Sequence, residues 1–134
     1  MAHLSTAAAS LALALQMLGR LDEAEHYALE SRRLAADDDV ASQVEARIAM
    51  AKVNAALGEL DHAESEAREA VEITTTSEWP NVRGDAHMAL AETLRLSGKS
   101  EEAATCAEEA FRMYEQKGNV VWARRARAFV EGSL

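Results

Sequence analysis

Apolar positions in the first part of the chain recur at helical spacing: Leu4, Ala7, Ala8, Leu11, Leu15 and Leu18 fall at i, i+3, i+4 and i+7, the signature of an amphipathic helix. Gly19 ends that stretch and a second periodic stretch follows. The same succession then returns twice. Leu18-Gly19-Arg20-Leu21-Asp22-Glu23-Ala24 aligns with Leu57-Gly58-Glu59-Leu60-Asp61-His62-Ala63 and with Ser97-Gly98-Lys99-Ser100-Glu101-Glu102-Ala103, the glycines lying 39 and 40 residues apart. Five residues past each glycine stands Ala24, Ala63 or Ala103. Nine past stands Ala28, Ala67 or Ala107, and fifteen past Leu34, Ile73 or Met113. Seven before it stands Ala12, Ala51 or Ala91, preceded by Leu11, Met50 or Leu90. Agreement at so many offsets identifies internal repeats.

Each unit predicts a helical hairpin. The glycine takes the left-handed position that ends the first helix. Asp22, Asp61 and Ser100 are expected N-caps of the second, with the acids after them complementing its dipole. The matched alanines let two antiparallel helices approach closely, and a hairpin that cannot bury its apolar face alone must stack on neighbours. Between units, Asp37-Asp38-Asp39 and Ser77-Glu78 offer caps for the next first helix, and Pro80 suits a first helical turn. Gly118-Asn119 closes one helix and caps another. The spacing predicts helices at about 4–18, 21–36, 40–57, 61–76, 79–97, 100–117 and 119–132. They make a single domain over 1–134: repeat 1 at about 4–36, repeat 2 at about 40–76, repeat 3 at about 79–117, and a capping helix at about 119–132 whose Arg124, Arg125 and Arg127 give the stack a polar end.

Composition supports closely packed helices, with 29 alanines against one proline, six glycines and six aromatic residues among 134. The net charge of −9 disfavours nucleic-acid and anionic-membrane partners, which need a basic face. Apolar runs are too short and interrupted for a spanning helix. The run from Ala7 to Leu18 lacks the basic start of a secretory signal and reads as the first helix of the fold. Cys106 is the sole cysteine, so a reducing cytoplasm is the expected compartment.

Little in the chain predicts catalysis. His26 with Glu30 and His62 with Glu66 are i, i+4 pairs, but neither has a third ligand nearby in sequence, so no metal site or cofactor is expected. Cys106 lies beside Ala107 inside a predicted helix, a place for a small buried side chain. Phosphate-loop, nucleophile-elbow and zinc-protease motifs are missing from the sequence. Glu23, Glu64, Glu101, Glu108 and Glu109 fall on helix faces expected to meet water. Trp79 and Trp122 begin the fifth and seventh helices as a packing staple or, if exposed, as an anchor for a partner.

Leu11-Ala12, Gly19, Asp22-Glu23-Ala24, Ser31 and Leu34 in the first unit resemble the tetratricopeptide repeat. So do Met50-Ala51, Gly58, Asp61, Ala63, Ala70 and Ile73 in the second, and Leu90-Ala91, Gly98, Glu101-Glu102-Ala103, Ala110 and Met113 in the third. Departures are Ala8, Arg47 and His87 at an early aromatic position, and Ala28, Ala67 and Ala107 at a later bulky one. The family's terminal proline is missing, and the period exceeds its usual length, so the helices should be longer than standard. The resemblance implies an all-α, right-handed superhelix without catalysis, binding a protein or peptide on its concave face. Groove positions carried over are Thr6, Ala9, Leu13 and Gln16 from the first unit, Glu45, Ile48, Lys52 and Ala55 from the second, and Asp85, Met88, Glu92 and Arg95 from the third. The lysine–asparagine carboxylate clamp of some members is replaced here by Thr6, Ala9, Glu45, Ile48 and Asp85, so a basic or amphipathic peptide suits this groove better.

Leu4-Ser5-Thr6-Ala7-Ala8, Asp38-Asp39-Val40-Ala41-Ser42-Gln43, Arg83-Gly84-Asp85-Ala86, Leu90 to Leu96 and Lys117-Gly118-Asn119-Val120-Val121 are similar to the C-terminal repeat regions of bacterial signalling proteins that carry nucleotide-cyclase and STAND-type ATPase domains. That similarity implies an excised sensor or docking arm. The alternatives are a self-association module, forming a homodimer, or a redesigned repeat scaffold.

Overall fold

A computed structural model describes residues 2–35, 39–76 and 79–132 of the chain, with the backbone alone for Ala2 and His3. Seven helices and no strand occur among the described residues: α1 (Ala2–Met17), α2 (Leu21–Leu34), α3 (Val40–Ala56), α4 (Leu60–Thr74), α5 (Pro80–Leu96), α6 (Ser100–Lys117) and α7 (Val120–Val130). Each falls within about two residues of its predicted span. α1 with α2, α3 with α4 and α5 with α6 form three antiparallel hairpins, and α7 packs on α6.

The turns inside the hairpins are tighter than the capping expectation required. Gly19 (φ 78°) donates its N–H to the Gln16 carbonyl, and Arg20 donates to Leu15, the paired bonds of a Schellman turn. Gly58, Gly98 and Gly118 repeat both bonds. The residue after each hairpin glycine (Arg20, Glu59 or Lys99) is already the N-cap of the next helix, without a side-chain cap bond. Asp22, Asp61 and Ser100 are therefore not caps: they sit inside the first turn of α2, α4 and α6. There Asp22 and Asp61 still complement the dipole. The reason is length, since three residues separate the paired helices and the last of them is already the N-cap. Asp39 does cap α3, accepting from the Ser42 N–H at 3.1 Å, and Asn119 caps α7, accepting from Trp122. Trp79 is the N-cap of α5 and Pro80 opens that helix. The expected caps Asp37, Asp38, Ser77 and Glu78 lie outside the described residues.

Alanine sets the spacing within hairpins. Ala12, Ala51, Ala91, Ala24, Ala63, Ala28, Ala67 and Ala107 are wholly buried and Ala103 nearly so. Where α1 meets α2, Ser5 and Ser31 exchange hydroxyl-to-carbonyl bonds of 2.8 Å in each direction, so the close approach leaves neither hydroxyl unpaired. Between hairpins, α1 packs on α3 and α3 on α5, whereas α2, α4 and α6 make no comparable contact with one another. Long side chains bridge these second helices instead: Arg32 to Glu66, Arg68 to Glu102, and Lys99 to Glu64. Close first helices and spread second helices curve the stack, with α1, α3 and α5 on the inner side.

The stripe assigned to α1 needs correction. Leu15 and Ala8 are buried, but Leu4, Ala7, Leu11 and Leu18 face solvent. α1 is apolar nearly all round, so periodicity alone does not say which side meets the core. At the other end, Arg95 lies over the Phe129 ring at 3.3 Å and donates to its carbonyl, tying α5 to α7. Arg124, Arg125 and Arg127 are exposed, with Arg127 stacked over Phe111 at 4.4 Å.

Candidate functional site

The inner side of the curve carries a cleft of about 310 Å³. α1 contributes Thr6, Ala9, Ser10 and Leu13, α3 contributes Glu45, Ile48 and Lys52, and α5 contributes Asp85, Met88, Ala89 and Glu92. These are successive turns of three neighbouring helices, since residues three or four apart share a face. A second hollow of about 360 Å³ continues from Lys52 and Glu92 to Gln16, Ala55, Ala56, Thr93 and Leu96. Of the groove positions named from the sequence, Arg95 alone lines neither hollow, because its guanidinium is turned onto Phe129.

Three further residues complete the main cleft: Tyr114 from α6, and Trp122 and Arg125 from α7. Tyr114 reaches the cleft across Gly84. Its ring carbons lie 2.8 Å from where a Cβ on that glycine would sit, so only glycine leaves the ring room. The ring is buried, and its hydroxyl donates to Oδ1 of Asp85. Trp122 leans on Tyr114 at 6.3 Å between ring centroids, and Arg125 stands 5.1 Å from the Trp122 ring. From the sequence, Trp122 and Arg125 read separately, the tryptophan as a packing staple or an anchor and the arginine as part of a cap surface. The two-residue turn at Gly118-Asn119, alike in form to the hairpin turns, is the signal that α7 continues the stack beside the groove.

The electrostatics of the cleft are uneven. Asp85 is open to the cleft yet set in its concave wall. Desolvation there pushes its carboxyl above the usual aspartate range, and neighbouring Glu45 adds to the effect, against the opposing pull of the Tyr114 hydroxyl and Lys52. Burial and the adjoining Asp85 in turn push the Tyr114 phenol far up, so it stays a donor. Oε2 of Glu45 is buried and accepts no hydrogen bond. Lys52 pairs with Glu92 across the groove at 3.8 Å. Three carboxylates thus face two cations above a floor of Ala9, Ile48 and Met88.

Away from the groove, the residues weighed for chemistry are dispersed. No group of three His, Cys, Asp or Glu placed to hold a metal occurs among the described residues. His26 stacks edge-on against Tyr27, while Glu30 pairs with Arg33 and Glu66 with Arg32. Cys106 is half-buried, and desolvation raises its thiol pKa, which favours the unreactive protonated form. Glu23, Glu101 and Glu108 face water as expected, whereas Glu64 is mostly covered and gripped by Arg68 and Lys99, and Glu109 is partly covered and paired with Arg112. Trp79 is 59% exposed. No helix among the described residues is long and apolar enough to cross a membrane.

Comparison with known families finds tetratricopeptide-repeat models matching residues 4–36, the first hairpin, and residues 84–109, across the turn of the third. Comparisons with characterised proteins and with solved structures give no match. Tetratricopeptide repeats generally mediate protein–protein interaction or scaffolding and are typically non-catalytic. With three stacked hairpins, glycine turns at a constant offset and two matched segments, the chain is an all-α solenoid of tetratricopeptide-like repeats.

Proposed function

We propose that the chain is a non-catalytic docking module that holds an extended protein segment in the cleft of α1, α3 and α5, with a basic residue of that segment seated between Glu45 and Asp85. The carrying observation is the unpartnered buried oxygen of Glu45 beside a carboxyl already shifted by desolvation. Both groups gain when a lysine or arginine side chain arrives, because an acceptor with no donor is costly until one is supplied. Ile48 and Met88 beneath them take an apolar neighbour of the basic residue, and exposed Trp122 offers an aromatic face at the cleft's end. Leu13, Gln16, Lys52 and Glu92 extend the track along which such a segment lies. Similarity to the repeat arms of bacterial cyclase–ATPase regulators makes a sensor or docking arm in a cytoplasmic signalling protein the fitting context.

Selection from a displayed library of short random peptides tests this reading. Lysine or arginine should be enriched next to an apolar residue. Glu45→Lys should weaken the selected peptides at least about tenfold, the loss expected when one desolvated charge pair is reversed. Selected peptides without basic residues, or with affinity indifferent to Glu45→Lys, would refute it.

A further inference from the structure

The outer face of α1 is a second surface, independent of the cleft. Leu4, Ala7, Leu11 and Ala14, continued by Leu18 in the turn, alternate at spacings of three and four, and all are exposed. That is the a/d pattern of a helix seam that lacks its partner. The later repeats show what such positions are for. Met50 and Leu90, the counterparts of Leu11, are 8% and 4% exposed, covered where α3 rests on α2 and α5 rests on α4, whereas Leu11 is 42% exposed. Between Ala2 and Leu18 the chain has no Asp, Glu, Lys or Arg, although it carries 23 acidic residues in all.

We infer that this stripe is a homodimer interface, α1 of one copy pairing antiparallel with α1 of a second. Charge places the contact on α1. Two chains of net charge −9 repel over most of their surfaces, and α1 offers a face of about 21 Å on which they can meet without opposing carboxylates. Shape favours a second copy: in an antiparallel pairing with the two-fold axis between Ala7 and Leu11, Leu4 faces Ala14 and Ala7 faces Leu11 of the other copy, so large and small side chains interdigitate in those layers, with Leu18 beyond them. Such a contact is isologous and closes at two subunits. The α7 end is less suited, because Val120 and Val121 adjoin exposed Arg124 and Arg125.

Light scattering coupled to size exclusion on the whole chain, over a wide range of concentration, tests the inference. The wild type should show twice the mass of one chain. Leu11→Glu and Ala14→Glu, both at exposed positions, should each halve that mass while leaving the far-ultraviolet helical signal unchanged, and if one variant fails to fold the other still reads the interface. Val121→Glu on α7 should leave the doubled mass intact. A single-chain mass at every concentration, a dimer that survives both α1 substitutions, or one dissolved only by Val121→Glu would overturn it.

Discussion

Replacing Gly84 by alanine separates backbone propensity from packing, because the two act in opposite directions at this position. Gly84 lies inside α5 and is not among the glycines with positive φ, so the exchange should on backbone grounds stabilise the helix by about 1 kcal/mol. Space says otherwise. The new Cβ would lie 2.8 Å from Cε1 and Cζ of Tyr114 and 3.1 Å from Cδ1. The ring cannot step back freely: it is 1% exposed, its hydroxyl is bound to Asp85, and Trp122 leans on it. Overpacking of this kind costs about 1–3 kcal/mol, and a displaced hydroxyl adds about 1 kcal/mol. The net expectation for Gly84→Ala is a loss of about 1–3 kcal/mol, or a fall in Tm of about 3–9 °C for a chain of this size. Urea unfolding followed by circular dichroism measures it. In a Tyr114→Leu background, which removes the ring, the same exchange should become neutral or stabilising. Gly84→Ala stabilising the wild-type chain by about 1 kcal/mol would refute the contact, as would an equal effect in both backgrounds.

Gly58 presents the opposite case, with nothing within 4 Å of an added methyl but φ at 84°, so Gly58→Ala should cost about 1–2 kcal/mol through strain alone, read as a lower urea midpoint at constant slope. The Asp85 carboxyl, followed by NMR, should titrate above the ordinary aspartate range, and higher still in Tyr114→Phe, because the phenol hydroxyl is what pulls it back. Since the folded-state value is the raised one, the native protein holds this proton more tightly. Asp85 therefore lowers stability as pH rises through the window between the ordinary aspartate value and the raised one, and Asp85→Asn should flatten that slope. Glu64 runs the other way. Lys99 first, and then Arg68, hold its carboxyl below the usual range, so its contribution is present above the ordinary glutamate value and fades as pH falls through the lowered one. Glu64→Gln should cost no more than about 1 kcal/mol at low salt, and the difference should shrink in concentrated sodium chloride.

The helices and turns are legible in the sequence because they follow from local rules. A glycine at constant offset, alanines one helical turn apart and apolar residues at i, i+4 leave one hairpin solution. Capping is not legible at Asp22, Asp61 and Ser100, where a polar residue shortly past a glycine has the same composition whether it caps a helix or lies in its first turn; only the turn length distinguishes the two. The floor and walls of the cleft at Leu13, Glu45, Ile48, Lys52, Asp85, Met88 and Glu92 follow from repeat register. Tyr114, Trp122 and Arg125 do not, since their arrival depends on how far α7 swings over α6 and on the gap that Gly84 leaves. Arg95 has the register of a groove residue, but an aromatic ring on α7 captures it. The outward turn of Leu4 and Leu11 is likewise beyond periodicity, because a helix apolar on every side carries no directional signal.

The alanine seam inside the hairpins also bears on how the sequence can vary. A methyl group has no torsion to adjust and no smaller apolar substitute, so Ala12, Ala24, Ala28 and their counterparts tolerate almost no exchange. None of the nine lines the cleft. The alanine seam and the floor and walls of the cleft are thus written at separate positions. A lineage carrying this fold can change Glu45 and Glu92 in the cleft without touching the alanines that set its hairpin spacing.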